Sequence, residues 1–118
     1  FTSLGQLRYL SCLEHADLVV GNSSSGLLEA PSFKIPTVNI GDRQKGRLKA
    51  ESVIDCKPTY VQISTAIQKA TSLNFKKSCE MVENPYGGGG ASELIVQKLE
   101  EIDFSNLLKK KFFVLSKK

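Results

Sequence analysis

The 118-residue sequence has no tryptophan, a single histidine and only three cysteines. Cys12, Cys56 and Cys79 are odd in number and far apart, so they match neither a disulfide framework nor a CxxC metal site, and we expect reduced thiols with a structural role. His15 lies near the end of a predicted helix, where a cap or surface position is typical, so we assign it no chemistry. These shortages argue against a disulfide scaffold or a Cys/His metal centre, and we expect neither a metal nor a cofactor.

Long hydrophobic runs are also missing. No stretch approaches the roughly 20 apolar residues that span a bilayer, and the first residues lack the basic-then-apolar pattern of a signal peptide. The sequence therefore predicts a cytoplasmic protein without a membrane partner. Because Met81 is the only methionine, we expect that Phe1 is not the native first residue and that much of any active site lies outside this chain.

Positive charge is concentrated at the end of the chain. The net charge is +4, and residues 104–118 contain five lysines, namely Lys109, Lys110, Lys111, Lys117 and Lys118. A basic tail with two phenylalanines could contact nucleic acid or a membrane surface. Because the remainder is nearly neutral, we favour a solvated or docking segment and expect no nucleic-acid partner. The predicted organisation is a domain over 1–103 followed by a basic tail over 104–118.

Short apolar runs alternate with helical patterns along the predicted domain. Strands are expected at 17–21, 37–40 and 52–56, and helices at 5–16, 26–34, 61–73 and 91–102. Pro31 should kink the second helix or end it early, and Ser92 is a plausible N-cap of the last, whose apolar stripe is Ile95, Leu99 and Ile102. This alternation predicts an α/β fold, a Rossmann-like parallel sheet with helices on both faces.

The segment NPYGGGG at 84–90 predicts a turn or hinge, which we place at 84–91. Pro85 restrains the residue before it, and four glycines remove any preference for helix or strand.

The segment GNSSSG follows the first predicted strand, at a strand end where ligands of such sheets bind. A helix that begins between Ser24 and Gly26 would present unpaired backbone N–H groups and the positive end of its dipole, and the serine hydroxyls would add donors for a phosphate. The alternative stays open that one serine caps the helix while the others fill a turn. The motif is neither a P-loop nor a GxGxxG fingerprint.

Charged residues around this loop suggest which anion would bind. Glu29, about one turn into the helix, suits the two hydroxyls of a ribose, although a surface glutamate near a helix N-terminus is equally simple. The loop NIGDRQKGR after the next strand carries Arg43, Lys45 and Arg47. An arginine can pair with phosphate oxygens and stabilise a leaving diphosphate, unless these are solvated surface cations. Phosphate donors beside a diol acceptor describe a nucleoside diphosphate.

The segments SLGQLRYL, ADLVVGNSSSGLLEAPSFKIPTVNIGDRQKGR, SVIDC and NPYGGGGAS together resemble the C-terminal half of the hydrolysing UDP-N-acetylglucosamine 2-epimerases of sialic acid biosynthesis. The resemblance covers about residues 1 to 113. It implies a glycosyltransferase-B-type fold, in which two Rossmann-like halves bind a UDP-sugar in the cleft between them, and this chain is most of the second half. Gly88 stands where the family usually has an acidic residue, which puts any hydrogen bond of that residue in doubt but not the turn.

The resemblance implies a substrate-binding role for six residues: Tyr9, Asn22, Ser23, Ser24, Glu29 and Arg43. Ser23 and Ser24 match the serines that hold the diphosphate, and Glu29 matches the ribose-binding glutamate. Arg43 matches the arginine of the following loop and is the candidate for stabilising the leaving group. Tyr9 falls near the family position that borders the uracil.

The implied reaction eliminates UDP from UDP-N-acetylglucosamine to give 2-acetamidoglucal, and then adds water to give N-acetylmannosamine. Its tuned carboxylates come mainly from the N-terminal half in similar enzymes, so no catalytic acid or base is assigned here. The implied partners are the UDP-sugar, the N-terminal domain of the same chain and further copies in a homo-oligomer. Two alternatives are a 2-epimerase for UDP-N,N'-diacetylbacillosamine and a UDP-sugar binding domain of glycosyltransferase type.

Overall fold

The computed structural model describes residues 4–106, and a parallel three-stranded sheet is the centre of the first of two units, which ends at Gly88. The strands are β1 (Val19–Gly21), β2 (Thr37–Ile40) and β3 (Val53–Cys56), in the order β1-β2-β3. Val38 at the centre of β2 pairs with Val20 and Ile54. The three predicted strands are therefore present, with β1 two residues shorter than expected at its start.

Among residues 4–106, the first unit has four α-helices and a 3-10 helix, and the second unit, which begins at Gly89, has one of each. Their bounds are α1 Gln6–Glu14, α2 Ser25–Leu28, a 3-10 helix Ala30–Phe33, α3 Tyr60–Thr71, α4 Leu73–Glu80, α5 Ala91–Glu101 and a 3-10 helix Phe104–Asn106. No helix of the described residues is long and apolar enough to cross a membrane. Most of the predicted basic tail lies outside the described residues, and its boundary after residue 103 stays a prediction.

Helices cover both faces of the sheet. On one face Val38 packs with Ala66 and Ala70 of α3, and Ile40 and Ile54 join this cluster. On the other face Thr37 lies against α2, because side chains alternate along a strand. The α/β, Rossmann-like prediction is confirmed.

Gly26 sets the close approach of α2 to the sheet. A Cβ atom at this position would lie 2.6 Å from Cγ2 of Thr37, a distance that real contacts do not reach. The Thr37 hydroxyl also donates a hydrogen bond of 3.0 Å to the Gly26 carbonyl. A larger residue at position 26 would therefore push α2 away from β2.

The helix predicted over 26–34 breaks as Pro31 led us to expect. Helix α2 ends at Leu28, and the chain continues from Ala30 as a 3-10 helix that contains Pro31 near its start. Proline has no N–H to donate to the preceding turn, so an α-helix cannot continue through this position without losing a hydrogen bond.

Two helix predictions were wrong in detail. The helix expected over 61–73 ends at Thr71, and Ser72 then caps α4, its hydroxyl accepting a bond of 3.4 Å from the N–H of Phe75. Helix α4 was missed because it has a weak apolar pattern, with only Cys79 buried. Ser92 is not an N-cap: Gly90, with a φ of 77°, takes that position and leaves Ser92 inside the first turn of α5.

The three cysteines and His15 differ in burial, and Cys79 alone among these described residues has the buried position expected of a structural thiol. Cys12 is exposed, Cys56 is half-buried and Cys79 is buried, and all three are free thiols. Burial raises the pKa of Cys79, and burial together with the charge of Asp55 raises that of Cys56, so both favour the neutral thiol. His15 is exposed and directly follows α1, at its C-cap position.

Candidate functional site

The serine loop, residues 22–24, joins β1 to α2 at the carboxyl end of the sheet. Ser24 precedes the helix, yet its hydroxyl makes no capping bond, and the Ser23 hydroxyl instead accepts a bond of 3.4 Å from the N–H of Ser25. The helix starts within the predicted interval. It is only four residues long, so its dipole is small and the serine hydroxyls are the main donors of this loop.

The arginine loop, residues 41–47, follows β2 at the same edge and contacts the serine loop. Nη1 of Arg43 lies 3.5 Å from Oδ1 of Asn22, to which it donates a long hydrogen bond. Nε2 of Gln44 donates a bond of 2.8 Å to the backbone carbonyl of Asn22. The structure therefore brings Asn22, Ser23 and Arg43 together, as expected from adjacent parallel strands.

Glu29 lies at the break between α2 and the 3-10 helix. Its backbone N–H donates a bond of 2.9 Å to the Ser25 carbonyl, so its position depends on the single turn that follows the serine loop. Its Oε2 atom is buried and has no hydrogen-bond partner among the described residues. Buried carboxylate oxygens are normally hydrogen-bonded, so this one is an acceptor that still lacks a donor among the described residues.

Tyr9 comes to the same region from α1. Its hydroxyl hydrogen-bonds the hydroxyl of Ser25, the first residue of α2. The tyrosine thus touches the start of the helix that follows the serine loop and is half-buried there. Five of the six predicted residues gather around this loop, and Glu29 lies one helical turn beyond it.

Three residues that hold this arrangement were not predicted as site residues. They are Gln44, Asn84 and Tyr86. Nδ2 of Asn84 donates bonds of 2.8 Å to the Leu28 carbonyl and 2.7 Å to the Ser32 hydroxyl. The Tyr86 hydroxyl donates a bond of 3.1 Å to the Leu48 carbonyl. The predicted hinge segment therefore begins at Asn84, a residue whose side chain is hydrogen-bonded to the end of α2 and to the 3-10 helix that follows it. The sequence signal for this role of Asn84 is an asparagine followed by proline and a turn. In the structure the Asn84 side chain accepts the Tyr86 N–H at 3.0 Å, as asparagine does in turns.

Beside the arginine loop a cavity of about 570 Å³ opens at the ends of β2 and β3. Its lining includes Gly41, Asp42, Asp55 and Lys57. Burial tends to raise the pKa of Asp55, but hydrogen bonds from Lys49 and Asn39, with the Lys49 charge, outweigh this and hold the pKa below its ordinary value. Asp55 is thus a carboxylate that is already paired, in contrast to Glu29.

The remaining cations of the arginine loop, Lys45 and Arg47, are exposed. Among residues 4–106 no group of three or more His, Cys, Asp or Glu side chains could hold a metal ion. The substrate-binding roles of the six predicted residues stay predictions.

Comparisons with known proteins agree with the family that the motifs suggested. The sequence profile of a family described as UDP-N-acetylglucosamine 2-epimerase matches residues 1–100. The chain is 39% identical over 116 residues to a GDP/UDP-N,N'-diacetylbacillosamine 2-epimerase (hydrolyzing) of Campylobacter jejuni, covering 98% of this chain and 30% of that relative.

Two further relatives share the central part of the chain. A UDP-N,N'-diacetylbacillosamine 2-epimerase (hydrolyzing) of Legionella pneumophila is 42% identical over 94 residues, 80% of this chain and 24% of the relative. A UDP-N-acetylglucosamine 2-epimerase of Neisseria meningitidis is 40% identical over 73 residues, 62% of this chain and 19% of the relative. The chain thus spans less than a third of the length of these relatives.

Proposed function

The chain belongs to the UDP-N-acetylglucosamine 2-epimerase family, and from that premise we propose that it is the UDP-binding part of a hydrolysing 2-epimerase. In this proposal it is the C-terminal half of a longer cytoplasmic protein of glycosyltransferase-B type. An N-terminal domain of the same chain supplies the opposite wall of the cleft, and the intact protein is a homo-oligomer. The substrate is UDP-N-acetylglucosamine, and the products are UDP and N-acetylmannosamine.

The contact between Arg43 and Asn22 is the observation that carries the proposal. It places a guanidinium beside the serine loop, so that a diphosphate could receive hydrogen bonds from both loops. Neither Ser23 nor Ser24 donates its backbone N–H to another described residue, so these groups add to the serine hydroxyls as donors. Donors of this kind stabilise negative charge where it develops, which here is the UDP oxygen released from the sugar.

Glu29 distinguishes a nucleotide from a plain phosphate. A carboxylate repels an anion but accepts hydrogen bonds from hydroxyl groups, and Glu29 has one carboxylate oxygen without a donor among the described residues. Tyr9, which touches Ser25, borders the uracil in this proposal. The six residues would then bind successive parts of UDP: Tyr9 the base, Glu29 the ribose, and Asn22, Ser23, Ser24 and Arg43 the diphosphate.

The reaction breaks the bond between C1 of the sugar and the UDP oxygen while a base removes the C2 proton. Water then adds at C1 and a proton returns to C2 from the opposite side, which inverts that carbon. The residues of this chain bind UDP and stabilise it as it leaves. We place the acid and base that act on C2 in the N-terminal part, because tuned carboxylates facing the sugar are needed there.

The names of the first two relatives support a second candidate substrate. Both are named for N,N'-diacetylbacillosamine, whereas the Neisseria relative is named for UDP-N-acetylglucosamine. The elimination of UDP is the same for either sugar, so the substitution pattern of the hexose decides between them.

The test is to incubate the full-length protein separately with both UDP-sugars and to measure free UDP and the released 2-epimeric sugar. We expect UDP together with N-acetylmannosamine from UDP-N-acetylglucosamine. Faster release from the diacetylbacillosamine nucleotide would support the second candidate instead. A folded protein that releases UDP from neither nucleotide would contradict the proposed activity.

Glu29→Ala in the full-length protein tests UDP binding separately from the reaction. Hydrogen bonds to a charged group are typically worth about 1.5–3 kcal/mol, so UDP affinity measured by calorimetry should fall by about ten- to a hundredfold. Glu80→Ala, at an exposed position of α4, is the matched control and should bind UDP like the unchanged protein.

A further inference from the structure

Gln44 joins the two loops of the candidate site. We propose that it is a positioning residue, which holds the serine loop at the correct distance from Arg43, an inference that rests on the proposed UDP site. Its Nε2 donates a bond of 2.8 Å to the carbonyl of Asn22, the residue directly before Ser23. Gln44 would thus act on the diphosphate through Asn22 and the serines, without touching the ligand.

Burial separates the roles of the two neighbouring residues. Gln44 is only 3% exposed, whereas Arg43 next to it in sequence lies on the surface. Turn bonds from the Lys45 N–H to the Asp42 carbonyl (2.8 Å) and from the Arg47 N–H to the Gln44 carbonyl (3.3 Å) define the loop around them. An exposed guanidinium can meet a ligand, and a buried amide with one backbone partner is suited to hold its loop in place.

Asn22 is held at two points by this loop. Gln44 binds its backbone carbonyl, and Arg43 binds its side chain at 3.5 Å. A ligand that takes Arg43 would weaken the second contact, since the same guanidinium would then face phosphate oxygens. The Gln44 bond would remain and keep the serine donors in position, which matters because small displacements of binding groups reduce rates strongly.

The amide group is required at this position for a specific reason. Oε1 of Gln44 is buried and has no hydrogen-bond partner among the described residues, so the donor Nε2 makes the side chain's polar contact. A glutamate of the same shape would place a carboxylate oxygen against the Asn22 carbonyl when ionised. When protonated, it could donate to that carbonyl as the amide does. The Gln44→Glu variant should therefore respond to pH.

The experiment uses the full-length protein with UDP as the probe, and compares Gln44→Leu, Gln44→Glu and the unchanged protein by calorimetry and thermal unfolding. We expect UDP affinity to fall by about tenfold in Gln44→Leu, as the loss of one positioning hydrogen bond implies. In Gln44→Glu the affinity should be low at pH 8 and recover toward pH 5, since burial favours the protonated acid. Turnover should fall while KM for the UDP-sugar rises.

Thr71→Val is the control for a lost side-chain bond to a backbone group, because the Thr71 hydroxyl donates a bond of 2.9 Å to the Ile67 carbonyl at the end of α3. It should lower stability without changing UDP affinity. A double-mutant cycle with Arg43→Ala adds a second readout. Positioning predicts that Gln44→Leu costs much less UDP affinity once Arg43 is absent, whereas a general loss of stability predicts independent effects.

The outcomes separate this inference from the proposed function. Normal UDP affinity in Gln44→Leu, with affinity lost in Glu29→Ala, would overturn the positioning role and leave the UDP site intact. No UDP binding by the unchanged folded protein would overturn both. If Gln44→Leu fails to fold, the pH response of Gln44→Glu decides, and a flat affinity from pH 5 to pH 8 would overturn the inference.

Discussion

The two faces of the same three strands differ in chemistry. Toward α3 the sheet presents Val38, Ile40 and Ile54, which pack on the alanines of that helix. Toward α2 it presents Thr37 and Asn39, both nearly fully buried and both polar. The apolar face stabilises the unit, and the polar face lies under the helix that leads to Glu29, so the main apolar packing and the candidate site lie on different sides of one sheet.

Burying polar groups is costly unless they form hydrogen bonds, and on the polar face both buried side chains donate one. Thr37 donates to the Gly26 carbonyl, and Nδ2 of Asn39 donates a bond of 2.7 Å to Asp55 on the neighbouring strand, whereas Oδ1 of Asn39 is buried and has no partner among the described residues. Asp55 in turn accepts 2.6 Å from Lys49. These two sets of hydrogen bonds connect α2 to β2 and β2 to β3, whereas the cluster on the other face is apolar.

The largest effect should come from the apolar face. Val38→Ala removes two methyl groups from a fully buried position, and we expect a loss of about 2 kcal/mol in the free energy of unfolding from transfer and cavity terms. Urea unfolding of the full-length protein measures this. UDP affinity of the folded protein should stay unchanged, and a large loss of affinity would show that the two faces are not separable.

Gly26→Ala tests the polar face. The added Cβ would lie 2.6 Å from Thr37, so we expect a destabilisation of about 1–2 kcal/mol from overpacking. Here UDP affinity should also fall, because the variant moves α2 and with it Glu29. Gly88→Ala is the control, since a Cβ there meets nothing within 4 Å, and it should be nearly neutral in both measurements. If folded Gly26→Ala protein bound UDP with unchanged affinity, the candidate site would not depend on the packing of α2 against the polar face.

The smallest effect concerns acid stability. The pKa of Asp55 is held below its ordinary value in the folded state, so its ion pair contributes stability above about pH 4, the unfolded value, and loses it as pH falls through the folded pKa. Asp55→Asn should flatten the decline of unfolding free energy in this acid range. Lys49→Met should also flatten the decline, because without this cation the folded pKa of Asp55 moves back toward its unfolded value and the two states bind the proton more nearly alike. An unchanged decline in both variants would contradict the role of the pair.

A second carboxylate, Asp17 at the surface, also has a pKa below its ordinary value. The pKa of Asp17 is lowered by a hydrogen bond from Lys76 at 2.7 Å and by its charge, which link the start of β1 to α4. Both groups are on the surface, so solvent screens this pair and we expect it to contribute less than Asp55 to acid stability.

Local pattern predicted the regular elements where it was strong. The run TVNI matches β2 residue by residue, and the alternation of apolar runs with helical stripes was enough to identify a parallel sheet. It was weaker at boundaries: Ser72 separates α3 from α4, and Gly90 rather than Ser92 precedes α5. In both places a single residue's backbone conformation decided the outcome, and periodicity does not report it.

The candidate site shows the same division. Serine, glutamate and arginine could be selected from the sequence because their chemistry suits a nucleotide and their motifs resemble a family. Gln44 and Asn84 could not, because an amide has no distinctive chemistry until its partner is known. Gln44 bonds the backbone carbonyl of Asn22, which lies 22 positions earlier in the chain. Asn84 bonds the backbone carbonyl of Leu28, which lies 56 positions earlier.

By itself, the sequence determined the fold class and the order of the strands along the chain, and it supplied the candidate residues for which we propose diphosphate and ribose binding. These follow from side-chain type and from spacing along the chain, which are local properties. Only the tertiary structure decided that Arg43 meets Asn22, that Glu29 keeps a buried unpaired oxygen and that Gln44 joins the two loops. The physical reason is that parallel strands bring distant loops to one edge, and the resulting contacts depend on packing between residues that no local pattern relates.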